Sequence, residues 1–283
     1  MKYRLLFLSL FIIISSCSDK SSGIASGTKE PVTNPIHKVS HKKGACLTTK
    51  NDTWSSKVSA LNVYWHYSWG VDANIVEPDS VLFVPMIWGK WSLEKNLQKV
   101  DSLHKIGKVN HLLGFNEPDG KEQANLTVEE SLSYWPKLMN LNIPLGSPAC
   151  IHADNDWMKG FMAQVEEKGY RVDFICVHWY GGANAQSLID HLKSIYNLYN
   201  RPIWLTEFAP ADWSASSPET SKVTKAKALA FMQEILPALE KIDYVQRYSW
   251  FSASPESAAL GNSALFDSAG KLTTLGEYYS KFQ

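Results

Sequence analysis

The chain has 283 residues, with 28 Lys and Arg balanced by 28 Asp and Glu, so it offers no net cationic charge for the clustered phosphate contacts that nucleic-acid binding requires. A hydrophobic share of 45% supports a large core and excludes disordered or collagen-like chains, and four cysteines are too few to staple a chain of this length. The aromatic content is high, at 11 Trp, 12 Tyr and 11 Phe, which calls for an aromatic core, an aromatic binding surface, or both.

In chain order, Lys2 and Arg4 precede an apolar run, 5–14, broken only by Ser9. Ten residues are too few to span a bilayer as a helix, and the layout is that of a secretory signal. Ile14-Ser15-Ser16-Cys17 resembles the lipobox of bacterial lipoproteins. Residues 1–16 are therefore expected to be a lipoprotein signal peptide and Cys17 the lipidated residue, an ordinary export signal being the alternative. Residues 17–40, rich in Ser, Lys, Gly, Thr and Pro without apolar periodicity, read as a flexible tether. The expected product is exported and lipid-anchored to a bacterial membrane in the cell envelope. The anchor would be its sole membrane contact, and the outer-membrane surface is one candidate face.

From about residue 41 to 283 one grammar repeats: a short apolar run, a loop, then a helical pattern. The runs are 43–47, 58–65, 80–86, 109–115, 143–147, 172–177, 202–206 and 244–250. Several are apolar without alternation, as strands covered on both faces are. Helices are predicted over 93–105 with Ser92 as N-cap, 128–140 after Thr127, 157–168 closed by Gly169, 187–198, and 221–240, where Pro237 should kink or shorten the helix. Eight strands alternating with helices predict a single α/β domain, a (β/α)8 TIM barrel, over 41–283. With the weak first run discounted, a doubly wound sheet is the rival.

Two carboxylic acids stand at run ends: Glu117 after the fourth run and Glu207 after the seventh. A barrel gathers its chemistry at the C-terminal ends of its strands, and the fourth and seventh lie across the mouth from one another. Glycoside hydrolysis needs such a pair, one carboxyl group to protonate the leaving oxygen and one to attack the anomeric carbon or activate water.

The blocks Leu113-Gly114-Phe115-Asn116-Glu117-Pro118-Asp119, His178-Trp179-Tyr180-Gly181, Trp204-Leu205-Thr206-Glu207-Phe208-Ala209 and Tyr248-Ser249-Trp250-Phe251, in this order and spacing, resemble glycoside hydrolase family 128. The likeness extends over about residues 42–280. It implies a retaining β-1,3-glucanase that works by double displacement, with Glu117 as acid/base, Glu207 as nucleophile and Asn116 on the sugar 2-hydroxyl. A retaining pair should stand about 5–5.5 Å apart. The implied partner is β-glucan polysaccharide or oligosaccharide. No metal, no cofactor and no nucleic acid are implied, and a monomer is expected.

Seven tryptophans fall at or just after run ends, where an aromatic plane can pack on the axial C–H face of a pyranose. Trp88, Trp179 and Trp250 match family blocks and are expected to touch substrate. Trp69, Tyr64 and Tyr180 join them as candidates, while Trp65, Trp91 and Trp213 are left open between rim and core. Trp54, Trp135, Trp157 and Trp204 are assigned to the core. One of Tyr64, Tyr67 and Tyr180 is expected to donate a hydrogen bond to Glu207. His178 is expected to serve a sugar hydroxyl or the carboxylates. Cys46, Cys150 and Cys176 are read as buried thiols, with a Cys150–Cys176 disulfide as the alternative. There is no His-Glu-x-x-His helix, phosphate-cradling glycine loop or Gly-x-Ser-x-Gly elbow. The reading from another class is a glycan-binding lipoprotein without catalysis on the same barrel.

Overall fold

The computed structural model describes residues 39–48, 54–73 and 81–283. The expected signal segment 1–16, the expected acyl site Cys17 and nearly all of the 17–40 tether lie outside the described residues. The elements are β1 (Lys43–Cys46), α1 (Trp54–Leu61), β2 (Trp65–Tyr67), β3 (Leu82–Phe83), α2 (Leu93–Lys105), α3 (Val128–Met139), α4 (Asp156–Lys168), β4 (Ile175–Trp179), α5 (Ala185–Tyr199), β5 (Ile203–Phe208), α6 (Lys225–Lys241), β6 (Val245–Phe251) and α7 (Thr274–Lys281).

The strands form one parallel sheet in the order β3-β2-β1-β6-β5-β4. Two irregular segments close it into a ring through the parallel bridges Met86↔Leu113, Leu112↔Leu145 and Gly146↔Phe174. That makes eight staves, the fourth and fifth lying around 112–116 and 145–149. Prolines explain their irregularity: Pro85, Pro144 and Pro148 have no N–H to give a ladder. The carbonyls of Pro85 and Pro144 still accept, from Leu113 N and Leu112 N, each at 2.9 Å.

The second run is divided differently from the expectation. Trp54, Val58 and Leu61 are the buried positions of a helix, Asn62 follows it with φ 49°, and the strand starts only at Trp65. Helices α2 to α5 fall within two residues of their predicted spans. Thr127 caps α3 through a reciprocal box with Glu130, and Gly169 ends α4 in the left-handed region at φ 61°. Ser92 does not cap α2; it sits at φ 53° and its side chain makes no capping bond. Helix α6 starts at Lys225 under a Thr224 cap and runs through Pro237 to Lys241. The Lys42 ammonium donates to the carbonyls of Leu239, Glu240 and Ile242 at 3.0–3.1 Å, satisfying acceptors that a helix end leaves open.

Inside the ring Trp65, Tyr67, Met86, Leu113, Phe174 and Trp204 form a packed layer with their neighbours. Trp204 stacks on Phe174 at 4.1 Å, and the Arg247 guanidinium lies 4.2 Å over the Trp204 ring. Glycines make the room: a Cβ on Gly44 would come within 2.3 Å of the Trp65 ring, and one on Gly146 within 2.5 Å of the Phe174 ring. Part of the aromatic excess thus fills the barrel. Cys46, Cys150 and Cys176 are buried free thiols. Among the described residues no helix is long and apolar enough to cross a membrane.

Candidate active site

Glu207 lies in β5, the seventh stave. The pairing of β4 with β5 shifts by one residue, from Val177↔Leu205 to His178↔Glu207. Such an irregularity re-aims side chains, and here it sets Glu207 opposite His178 at the barrel mouth. Tyr67 hydroxyl lies 3.1 Å from the carbonyl of the skipped residue, Thr206.

Glu117 follows the fourth stave. Its N–H donates to Ala149 O at 2.7 Å, and its carbonyl accepts from Gly120 N at 2.9 Å. Between those bonds its backbone adopts φ 41°, a left-handed conformation costing an L-residue roughly 1–2 kcal/mol. The turn delivers its carboxylate to the centre of the mouth.

One oxygen of Glu117, one nitrogen of His178 and one oxygen of Glu207 all lie within 4.8 Å of one another. His178 Nδ1 is 2.9 Å from Glu117 Oε1. Its Nε2 is 3.4 Å from Glu207 Oε1, an ion-pair distance too long for a good hydrogen bond. Glu207 Oε1 also accepts from Tyr67 hydroxyl at 3.0 Å and from Trp69 Nε1 at 2.7 Å, and the Tyr180 hydroxyl donates to Oε2. Three ligand atoms so close could in principle face a cation. The surroundings of Glu207 are instead N–H and O–H donors, which suit a bare carboxylate.

Burial is the largest influence on His178 and lowers its pKa. The pull of Glu207 and Glu117 outweighs it, so the imidazole ends above its ordinary 6.5. Burial, then the negative Glu207, push the Tyr67 and Tyr180 hydroxyls well above 10, so both stay protonated donors. Asn116 is buried; its amide donates 3.3 Å to Gln123 Oε1, and its Oδ1 has no protein partner. Asn116, Glu117, Gln123, Tyr180 and Glu207 line a cleft of about 750 Å³ whose walls include Trp69, Trp88, Trp213 and Phe251.

The family model for the glycosyl hydrolase catalytic core matches residues 44–279. A variant of the subgroup I endo-β-1,3-glucanase of family 128 from Amycolatopsis mediterranei, solved with laminarihexaose, is 34% identical with a TM-score of 0.75. The match covers 86% of this chain and 100% of that one. The chain belongs to glycoside hydrolase family 128. A subgroup II family 128 endo-β-1,3-glucanase from Sorangium cellulosum is 27% identical, with a TM-score of 0.69, over 85% of this chain and 98% of that one. Alkali-sensitive linkage protein 1 of Schizosaccharomyces pombe is 30% identical over 258 residues, 85% of this chain, which spans only 44% of that protein.

Of the residues the sequence proposed for this family 128 site, Glu117, Glu207, Asn116, Trp88, Trp69 and Tyr180 line the cleft, and His178 bridges the two carboxylates. Three are placed elsewhere. Trp250 is fully buried, its indole donating to Ser263 O at 2.9 Å and packing near Phe231 and Tyr279; strand parity turns it to the helix layer, and Phe251 faces the cleft. Trp179 likewise points outward, stacked 5.5 Å from Phe231, and lines a neighbouring pocket instead. Tyr64 lies at the opposite end of β2, stacked on His41 at 4.4 Å and near Arg247. The sequence marks Tyr67 for Glu207 only as one of three tyrosines, and its two-residue spacing from Trp65 and Trp69 is the signal that selects it. Gln123 carries no sequence signal; only the turn after Glu117 brings it in.

Proposed function

We propose that this chain is a glycoside hydrolase acting on β-1,3-glucan, with Glu117 as acid/base and Glu207 as nucleophile. The observation that carries the proposal is the pair of carboxyl groups, with oxygens within 4.8 Å, at the centre of an open, aromatic-walled cleft. Nearest atoms that close support the retaining class, whose carboxyl groups stand about 5–5.5 Å apart, over the inverting one, where roughly 6.5–9.5 Å leaves room for a water between the groups.

Glu117 gives its proton to the glycosidic oxygen while a Glu207 oxygen attacks C1, so the C1–O bond breaks as the glycosyl ester forms. Glu117, now a carboxylate, takes a proton from water, and the water oxygen attacks C1 and releases Glu207. Two inversions leave the anomeric configuration unchanged. Tyr67, Trp69 and Tyr180 hold the nucleophile's oxygens, and the Asn116 Oδ1 without a protein partner is an acceptor for a sugar hydroxyl.

The cleft shares Trp69 and Phe251 with a pocket of about 490 Å³ at the ends of β1 and β6, and Tyr180 and Trp213 with one of about 530 Å³ beyond β4. A chain can therefore lie across the carboxylates, which supports endo action, as do the endo-β-1,3-glucanase relatives. For the N-terminal region we propose export and lipid anchoring at Cys17, supported by the signal-like run and the lipobox resemblance.

Reducing ends released from a linear β-1,3-glucan by the wild type, and lost in Glu207→Gln, are the expected result; no release by the wild type leaves the glycan-binding reading standing. NMR of the first-formed anomer tests retention, which an α-anomer would overturn.

A further inference from the structure

Glu117 precedes Pro118, a position at which the proline ring favours extended backbone. It is held at φ 41° instead, and a conformation of that kind persists only where the surroundings fix it. Several bonds of this loop turn back on the loop itself. Ala124 N donates to Asn116 O at 3.2 Å, Gln123 N to Gly120 O at 3.0 Å and Leu126 N to Pro118 O at 2.9 Å. Such bonds keep the loop compact without fixing where it stands over the barrel mouth.

Asp119, half-buried beside the turn, supplies a tie that leaves the loop. Ile151 N, in the loop after the fifth stave, donates to both of its carboxylate oxygens at 3.1 and 3.2 Å. The Asn155 side-chain amide donates 2.7 Å to Oδ2. Asn155 is itself the N-cap of α4, its Oδ1 accepting from Met158 N at 2.9 Å. Glu117 is thereby linked, two residues away, to the start of a 13-residue helix. The bond from Glu117 N to Ala149 O, at 2.7 Å, makes the matching tie through the main chain, so the turn is gripped on either side of Pro118. The packing there is close: a Cβ on Gly120 would lie 2.9 Å from Gln123 Cγ and 3.2 Å from Ile151 Cδ1.

Asp119 is not among the residues that line the cleft, so an effect on the chemistry must pass through Glu117. Glu207 is held from the other side by Tyr67, Trp69 and Tyr180, in bonds that do not involve Asp119. We propose that Asp119 is a positioning residue for the acid/base, fixing the Glu117 carboxyl group where the leaving oxygen takes its proton. The proposal rests on the hydrolase reading above. It separates proton donation, which depends on Asp119, from nucleophilic attack, which does not.

Two aryl β-glycosides of one β-1,3-linked glucotriose test it, with release of the phenol followed in the full chain. Methoxyphenolate needs a proton to leave and dinitrophenolate does not, and kcat/KM reports the steps up to that departure. Asp119→Ala is expected to lower kcat/KM roughly 100-fold on the methoxyphenyl glycoside and less than about threefold on the dinitrophenyl one, the pattern of a misplaced acid. Asp119→Asn keeps one acceptor oxygen and should lose roughly tenfold on the first substrate with the second again little changed; it carries the test if the alanine variant does not fold. Glu207→Gln should lose activity on both. Equal losses on the two glycosides in the Asp119 variants, or no loss on the methoxyphenyl one, overturn the positioning role while wild-type turnover upholds the hydrolase reading. A wild type that releases neither phenol overturns that reading, and the role of Asp119 with it.

Discussion

His178 Nδ1 lies 2.9 Å from Glu117 Oε1, with the imidazole fully buried. Desolvation alone would drive such a ring neutral; Glu207 and Glu117 reverse this and raise its pKa above 6.5. A proton bound more tightly in the folded chain contributes stability in full below pH 6.5, and that contribution is lost as pH rises through the folded value. The difference in urea midpoint between wild type and His178→Gln should therefore shrink from pH 6 to pH 9. The variant should also lose roughly 10²-fold in kcat/KM, the scale of a catalytic group misplaced by about 1 Å. A difference that is flat across that range would mean the histidine carries no extra proton.

Glu207 draws on donors from β2 and from the loops that follow β2 and β4, and each should be separately measurable. A hydrogen bond to a charged group contributes about 1.5–3 kcal/mol, and each 1.4 kcal/mol is about tenfold in rate. Tyr67→Phe and Tyr180→Phe are each expected to lower kcat/KM on β-1,3-glucan roughly 10- to 100-fold. The double variant should fall short of the product, since both act through one carboxylate. Full additivity would argue that the two hydroxyls serve different ends.

The two carboxylates could be read directly because an acid ending a buried apolar run has few structural uses, and the eight-run rhythm gave the barrel. What could not be read traces to burial on both faces. In Tyr248-Ser249-Trp250-Phe251 the ring interior and the helix layer are both apolar, so alternation carries no signal and the choice between Trp250 and Phe251 is invisible. The run at 58–65 failed similarly, a helix end and a strand start fusing into one apolar stretch. Pro85, Pro144 and Pro148 hid the raggedness of the fourth and fifth staves, whose closure depends on carbonyls that a propensity argument does not follow.

The reassignment of Trp250 separates it from Trp69. Trp250 is fully buried, so Trp250→Ala should cost about 3–5 kcal/mol of stability, seen as a lower urea midpoint. Trp69 donates 2.7 Å to Glu207 Oε1 from a half-buried position, so Trp69→Phe should leave the midpoint nearly unchanged while lowering kcat roughly tenfold or more. Unaltered stability in Trp250→Ala with a large rise in KM would restore Trp250 to the cleft.

His66 gives the chain an acid-sensitive element remote from the site. It faces outward from β2 with no exposed surface, edge-on to Trp54 at 4.7 Å and 5.3 Å from Phe83, and burial lowers its pKa to about 3. Between pH 6.5 and that value the unfolded chain binds a proton that the folded chain refuses, so stability falls with acid by up to about 1.4 kcal/mol per pH unit. His111, lowered to about 4 chiefly by burial, acts in the same direction, so the contribution of His66 must be read as a difference. His66→Phe keeps a flat ring between Trp54 and Phe83 and removes the titration. The fall in its urea midpoint from pH 7 to pH 4.5 should be smaller than that of the wild type by a margin consistent with that slope. Parallel acid losses in the two proteins would place the sensitivity elsewhere.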